Sequence, residues 1–192
     1  MRNCLVINLD RCSGCDSCVV ACKFANNLDL GVRWNTVAPI GSTGTFPDIE
    51  QYWLPSQCQQ CENAPCIDVC PTGASYRDEG RGLVLVNPET CIGCQLCMSA
   101  CPFDARFYNE SSGVVEKCTC CIDWLERGEN PACVHSCCCG ARLYGDLDDP
   151  ESDVAKAVAA AGEEGCHHLS DPDEAGPLTV YILSTDVAAW RS

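Results

Sequence analysis

Aromatic residues are scarce in this chain, at 7% of 192 residues, and no apolar run reaches the roughly 18 residues that a membrane-crossing helix needs. The first shortage leaves a thin conventional core, because much of the 46% apolar content is cysteine. The second excludes a membrane span by this chain. Positive charge is short as well: 12 Lys and Arg stand against 27 Asp and Glu, a formal charge of −15. Nucleic-acid binding through phosphate neutralisation is thereby excluded, and a basic docking face on a partner is favoured. The opening MRNCLVINLDRCSGC has neither an apolar h-region nor a small-residue cleavage site, so a secreted disulfide scaffold is the weaker reading and metal the stronger. A chain of this length suits one compact domain, or two small lobes sharing a core.

What is abundant is cysteine, 21 residues of it, arranged as a fourfold repeat. Block one is Cys12, Cys15, Cys18 and Cys22; block two is Cys58, Cys61, Cys66 and Cys70, followed by Pro71. Block three, CIGCQLCMSACP, holds Cys91, Cys94, Cys97 and Cys101 before Pro102, and the looser block four holds Cys118, Cys121, Cys133 and Cys137. Zinc wants four ligands converging on one ion, commonly two CxxC pairs with a loop between them. Block four could meet that demand, but blocks one and three leave too little chain to wrap a single ion. A cuboidal iron–sulfur cluster presents its irons at separate corners, so one tight loop can supply three thiolates. The fourth cysteine then begins a helix pointing away and serves a second cluster, as in the bacterial two-cluster pattern.

Swapped fourth ligands require the blocks to pair, two with three and one with four. The expected ligand sets are Cys12, Cys15, Cys18 and Cys137 for cluster 1, and Cys58, Cys61, Cys66 and Cys101 for cluster 2. Cluster 3 takes Cys91, Cys94, Cys97 and Cys70, and cluster 4 takes Cys118, Cys121, Cys133 and Cys22. Four [4Fe–4S] clusters result, with every iron saturated, no open coordination position and no catalytic residue on this chain. Five cysteines remain: Cys4 as a small buried hydrophobe, Cys120, Cys138 and Cys139 crowding block four, and Cys166. His167 and His168 follow Cys166 in a stretch, 162–177, expected to be a surface loop. Asp104, Arg106, Trp34, Trp53 and Trp124 have ordinary roles open to them, surface pairing for the charges and cluster packing for the indoles.

Short strands are expected at residues 4–9, 82–87, 113–118 and 178–183, and a helix over 152–162 with Ser152 or Asp153 as its N-cap. Some 35 residues between blocks one and two, rich in Gly, Pro and Thr, read as an insertion with turns and an edge strand.

Nearly the whole chain, through WLPSQCQQCENAPCIDVCPTGAS (53–75), VNPETCIGCQLCMSACPFDAR (86–106), EKCTCC (116–121), GENPACVHSC (128–137) and GDLDDPES (145–152), resembles a known family. This is the four-cluster electron-transfer subunit of molybdopterin oxidoreductases, the dimethyl sulfoxide, polysulfide and tetrathionate reductases. It is also similar to the small subunit of pyrogallol transhydroxylase and to the partners of catechol dehydroxylases. CCCGAR (137–142) departs from the family's CPxxA. The resemblance implies an α+β, tandem ferredoxin-like fold with loop insertions and a C-terminal helix/strand extension. Residues 1–57 plus 108–192 would form an outer lobe carrying blocks one and four, and 58–107 an inner lobe carrying blocks two and three.

It further implies a large bis-MGD molybdopterin catalytic partner, with a quinol-side membrane anchor or a soluble donor completing the path. Cluster loading would occur in the cytoplasm, with the complex staying there or leaving folded beside a partner that bears a twin-arginine signal. The competing readings are an iron–sulfur subunit of a formate dehydrogenase, hydrogenase or aldehyde oxidoreductase, and a free polyferredoxin. Many of the former carry a C-terminal membrane helix, which the ending ILSTDVAAWRS lacks.

Overall fold

The computed structural model describes residues 2–171 and 173–184. It is an α+β protein in which β1 (Asn3–Asn8) leads to α1 (Ser17–Ala25), and the ribbon β2 (Asn35–Thr45) and β3 (Asp48–Gln57) follows. Next come α2 (Pro65–Asp68), β4 (Ser75–Arg77), β5 (Val84–Val86), α3 (Leu96–Ser99), β6 (Arg106–Asn109) and β7 (Val114–Lys117). The chain continues through α4 (Ile122–Glu126), α5 (Ala132–His135), β8 (Arg142–Asp146), α6 (Asp153–Gly165), β9 (Cys166–His167) and β10 (Val180–Ile182).

One four-stranded sheet, in the order β8-β1-β10-β9, anchors the molecule, and three two-stranded ribbons pair β2 with β3, β4 with β5 and β6 with β7. β1 is central because its run CLVI is apolar on both faces, as a strand covered on both sides must be. Its alternation divides the core: Leu5 and Ile7 pack toward Cys18, Cys133 and Tyr181, whereas Cys4 and Val6 pack toward Val154, Leu178 and Val180. α6 lies on that second face through Val154, Ala157, Val158 and Ala161, the spacing of one helical stripe. Ser152 is its N-cap, its Oγ accepting from the Ala155 N–H at 3.1 Å. Gly162, at φ 70°, kinks the helix where the sequence suggested an end, and three more residues follow.

The expected strands are present. The insertion after block one is a longer structure than an edge strand: a complete antiparallel ribbon from Asn35↔Gln57 to Thr45↔Asp48, with a register irregularity between Ile40 and Thr43. The stretch 162–177 is not simply a surface loop either. Cys166 and His167 pair with Ile182 and Tyr181, and His167 is buried with its Nε2 at 3.2 Å from the Leu183 carbonyl. The following segment straps block two, since Glu62 and Asn63 donate N–H bonds to the Gly176 and Ala175 carbonyls at 2.7 and 2.9 Å. Asp171 holds the strap in shape by accepting from the Ala175 and Gly176 N–H groups. Among the described residues no helix is long and apolar enough to cross a membrane. Positions 185–192 of the chain's ending lie outside the described residues.

Candidate metal centres

The four cysteine blocks share one local geometry, and it starts in the backbone. The second residue between the first two cysteines of each block is left-handed: Gly14 (φ 66°), Gln60 (φ 53°), Gly93 (φ 65°) and Cys120 (φ 54°). Such residues turn the chain back on itself and let successive thiols face one point. The third cysteine is in every block the second residue of a helix: Cys18 in α1, Cys66 in α2, Cys97 in α3 and Cys133 in α5.

The fourth cysteine does not begin a helix, as the spacing suggested. Cys70, Cys101 and Cys137 close the short helical turn instead, donating N–H bonds to Ile67, Met98 and Val134 carbonyls at 3.0, 3.1 and 3.1 Å. Cys22 differs in lying within the longer α1. After each of the three closing cysteines a tight turn follows, with a left-handed residue third in line: Gly73, Asp104 and Gly140. Cys138 therefore takes the place of Pro71 and Pro102 without changing the turn, and CCCGAR keeps the geometry of its counterparts.

Gly93 shows how little slack these loops hold. A Cβ there would lie 2.3 Å from the Gly113 carbonyl oxygen, a backbone atom that cannot rotate away. Gly93→Ala is expected to cost at least about 2 kcal/mol through the left-handed backbone and the clash together. Gly31→Ala, also left-handed but with nothing within 4 Å, is the control that isolates the clash. Thermal melts of the two purified variants, with Gly93→Ala well below the control, would bear this out; equal melts would contradict it. Gly14 is similarly confined, beneath the Trp53 indole.

The folded chain gathers the thiols around four separate hollows. Cys12, Cys15, Cys18 and Cys137, with the neighbouring Cys139, line the first, with about 350 Å³ of atom-free space. Cys58, Cys61, Cys66 and Cys101 line a second of about 320 Å³, and Cys70, Cys91, Cys94 and Cys97 a third of about 310 Å³. Cys22, Cys118, Cys121 and Cys133, with the neighbouring Cys120, line the fourth, of about 330 Å³. All 21 cysteines are free thiols. Yet among the described residues no three His, Cys, Asp or Glu side chains converge closely enough to hold one metal ion. Thiols spread around a hollow suit a polynuclear centre with a thiolate at each corner, rather than a single tetrahedral ion.

Donors around the sulfurs complete that fit. The Ser75 N–H reaches Cys70 Sγ at 3.4 Å, the Ala141 N–H reaches Cys137 Sγ at 3.2 Å and the Cys120 N–H reaches Cys118 Sγ at 3.4 Å. Asn26 Nδ2 lies 3.7 and 3.9 Å from Cys22 and Cys121 Sγ. Burial pushes the thiols of Cys61 and Cys133 up to about 12, and Cys22 higher still. At the exposed rim the Ser17 hydroxyl and N–H lower Cys15 to about 7. At Cys70 burial pulls the other way, but donors from Ser75, Thr72 and Ala74 outweigh it and bring the thiol to about 7. Buried thiols of this kind give up their protons only to a cationic partner that replaces them.

Three residues at these centres were not legible as such in the sequence. Arg106, Lys117 and Arg142 are buried cations, each about 2% exposed, so the surface pairing expected of Arg106 is not what the fold provides. Arg142 donates to Gln57 Oε1 at 3.2 Å and Asn35 Oδ1 at 2.7 Å, Arg106 to Ser75 Oγ at 2.9 Å, and Lys117 to the Cys118 carbonyl at 2.8 Å. Nη2 of Arg106 meets no oxygen or nitrogen acceptor, and the Cys66 thiol lies beside the guanidinium. The available signal was positional. Arg106 and Arg142 both stand five residues after the last cysteine of a block, each behind a buried alanine.

Of the remaining candidates, Trp34 lines the fourth hollow, whereas Trp124 packs edge-on to His135 and under Arg127 and lines none of the four. Cys4 and Cys120 are fully buried. Cys138 and Cys139 sit at the surface beside Cys15, the Cys15–Cys138 and Cys138–Cys139 sulfur separations being both 3.7 Å. Asp104 takes a left-handed turn position and lines none of the four hollows.

Residues 49–147 match the family of 4Fe-4S dicluster domains, and residues 9–25 match a 4Fe-4S binding domain. The chain is 37% identical to the arsenate respiratory reductase iron–sulfur subunit ArrB of Shewanella sp. (strain ANA-3), over 97% of this chain and 98% of that protein. It is 40% identical to a subunit of the sulfite dehydrogenase of Allochromatium vinosum, covering 82% and 74% of the two chains. Against the thiosulfate reductase electron transfer subunit PhsB of Salmonella typhi the identity is 45%, over 73% and 74%.

Proposed function

Since this chain belongs to the 4Fe-4S dicluster family, among the iron–sulfur electron-transfer subunits of molybdopterin oxidoreductases, we propose that it relays single electrons to or from a molybdopterin catalytic subunit through four [4Fe–4S] clusters. The observation that carries this reading is the sharing of thiols between blocks. Of the sixteen block cysteines, each hollow draws three from one block and the fourth from its partner, one with four and two with three, with Cys139 and Cys120 as fifth cysteines in two of the hollows. That interleaving suits a tandem ferredoxin-like arrangement, with blocks two and three forming an inner lobe (58–107) and blocks one and four an outer one (1–57 plus 108–192).

A bound cluster takes up or gives up one electron without making or breaking a bond to substrate. The chain's own residues do the rest. Sixteen cysteines would hold the corners, and backbone and side-chain N–H groups aimed at the sulfurs would stabilise the added negative charge. Large apolar side chains left in solvent, Phe24, Leu30 and Phe46 at 87, 98 and 88% exposure, favour a subunit over a free carrier. The partner we assign to them is the large catalytic chain.

The test is anaerobic purification from the native host. The reading expects about 16 iron and about 16 sulfide per chain, broad absorbance near 400 nm and a co-purifying molybdopterin protein. A stable monomer that carries all its iron and no partner would make it a polyferredoxin instead, and zinc in place of iron would end the cluster reading.

A further inference from the structure

Within the four-cluster reading, the buried cations occupy the places where one centre meets the next. Arg142 lines both the hollow of Cys12, Cys15, Cys18 and Cys137 and that of Cys22, Cys118, Cys121 and Cys133. Its charge falls on Cys133, Cys18 and Cys118, which is to say on thiols of both sets. Lys117 precedes Cys118 directly and donates to its carbonyl at 2.8 Å, at the core cluster where Cys118 and Cys120 pack with Cys58 and Cys101 of the neighbouring set. Arg106 lines the hollow of Cys58, Cys61, Cys66 and Cys101, and its charge falls on Cys66 and Cys58 there and on Cys97 of the remaining set. The centres thus run in the order 1, 4, 2, 3, with one cation at each of the three junctions.

Among the described residues none of the three meets a carboxylate; the ion pairs there include Arg2–Asp148, Arg127–Glu129 and Lys156–Glu151, all at the surface. Every hydrogen bond the three cations donate to oxygen goes to a neutral acceptor. A buried cation without a counter-charge is a heavy cost to a fold, so its counter-charge must be supplied by the centres themselves. A cubane with four thiolates carries roughly −2 when oxidised and one more negative charge when reduced. Adjacent centres therefore repel, and reducing one makes the next harder to reduce. A fixed positive charge between them offsets that repulsion and raises both potentials.

We propose that Arg142, Lys117 and Arg106 are positioning residues of the electron path, one buried cation per junction, each raising the potentials of the two clusters it separates. Arg142 acts on clusters 1 and 4, Lys117 on clusters 4 and 2, and Arg106 on clusters 2 and 3. The inference rests on the four-cluster reading of the hollows.

The experiment is an anaerobic redox titration of the purified protein followed by electron paramagnetic resonance, on wild type, Arg142→Gln, Lys117→Gln and Arg106→Gln. Wild type is first assayed for iron and sulfide. Fewer than four clusters there ends the underlying reading before any variant is compared. Given four, each neutral variant is expected to lower the reduced-to-oxidised ratio of its own two clusters about tenfold at a fixed potential, equivalent to 59 mV for one electron. The other two should stay unmoved. Unchanged potentials, or an equal shift of all four clusters, would overturn the proposal. If a neutral variant assembles fewer clusters, the charge-keeping variants Arg142→Lys, Arg106→Lys and Lys117→Arg decide. Restored assembly with near-native potentials supports the proposal, and continued failure assigns the residue to packing and overturns it.

Discussion

Cys101→Ser is expected to remove the cluster held by Cys58, Cys61 and Cys66, while leaving intact the one held by Cys91, Cys94 and Cys97, its own neighbours in sequence. Cys101 closes the turn after α3 by its N–H bond to the Met98 carbonyl at 3.1 Å, and so lines the hollow of block two. It does not line the hollow of block three, which takes Cys70 instead. A serine hydroxyl is a far weaker acid than a thiol and a harder ligand, so the corner at Cys101 loses its anion. Iron should fall by about a quarter of the total if the whole cluster is lost.

The identity of the lost centre is read by comparison. Cys58→Ser should remove the same paramagnetic signal as Cys101→Ser, and Cys91→Ser a different one. Were Cys101→Ser and Cys91→Ser to remove the same signal, the interleaving of blocks two and three would be wrong. The reciprocal variant, Cys70→Ser, should pair with Cys91→Ser.

How far the sequence could be read follows from what kind of information each feature carries. The cysteine blocks were legible as a repeat at nearly fixed spacing, the strand at β1 as a short continuous apolar run, and the helix at α6 because it is long enough to show periodicity. The four-residue helices α2, α3 and α5 are too short for any period, so their role of presenting the third cysteine and ending just before the fourth was not. Block four keeps the same closing turn despite three adjacent cysteines, because Gly140 supplies the same left-handed residue as Gly73 and Asp104. The strap at 171–176 is polar and turn-like, and only its distant hydrogen bonds to Glu62 and Asn63 make it structural. Arg106, Lys117 and Arg142 were hidden for a further reason. Cations read as surface residues by default, and the counter-charge that would justify burying them is no part of the polypeptide.

That last point leads to the largest effect expected of this protein, which is on its stability. Removing iron anaerobically, with a strong chelator and a mild oxidant, should unfold most of the chain rather than leave an empty native scaffold. Three buried cations would lose the negative charge of the clusters, and an uncompensated buried charge costs about 3–5 kcal/mol. The three together reach about 10 kcal/mol, against a typical total stability of about 5–15 kcal/mol for a domain. The thiols make up only part of the deficit: the Cys120 thiol, with Lys117 and Arg142, brings Cys118 down to about 6, but burial holds Cys61 and Cys133 up at about 12, so those remain neutral near pH 7. Nor can the apolar core, because its clusters are themselves built on Cys18, Cys58, Cys66, Cys97, Cys118 and Cys133 around the hollows. The outer face of the sheet, where α6 packs on Cys4, Val6 and Val180 without any of the sixteen cysteines, is the part expected to persist longest. Limited proteolysis should therefore cut the stripped chain first within blocks two and three and last within residues 143–166, with far-UV circular dichroism falling in step. A stripped chain that melts cooperatively at the loaded protein's temperature would mean that the cations find other partners and that the clusters are passengers in a fold that stands without them.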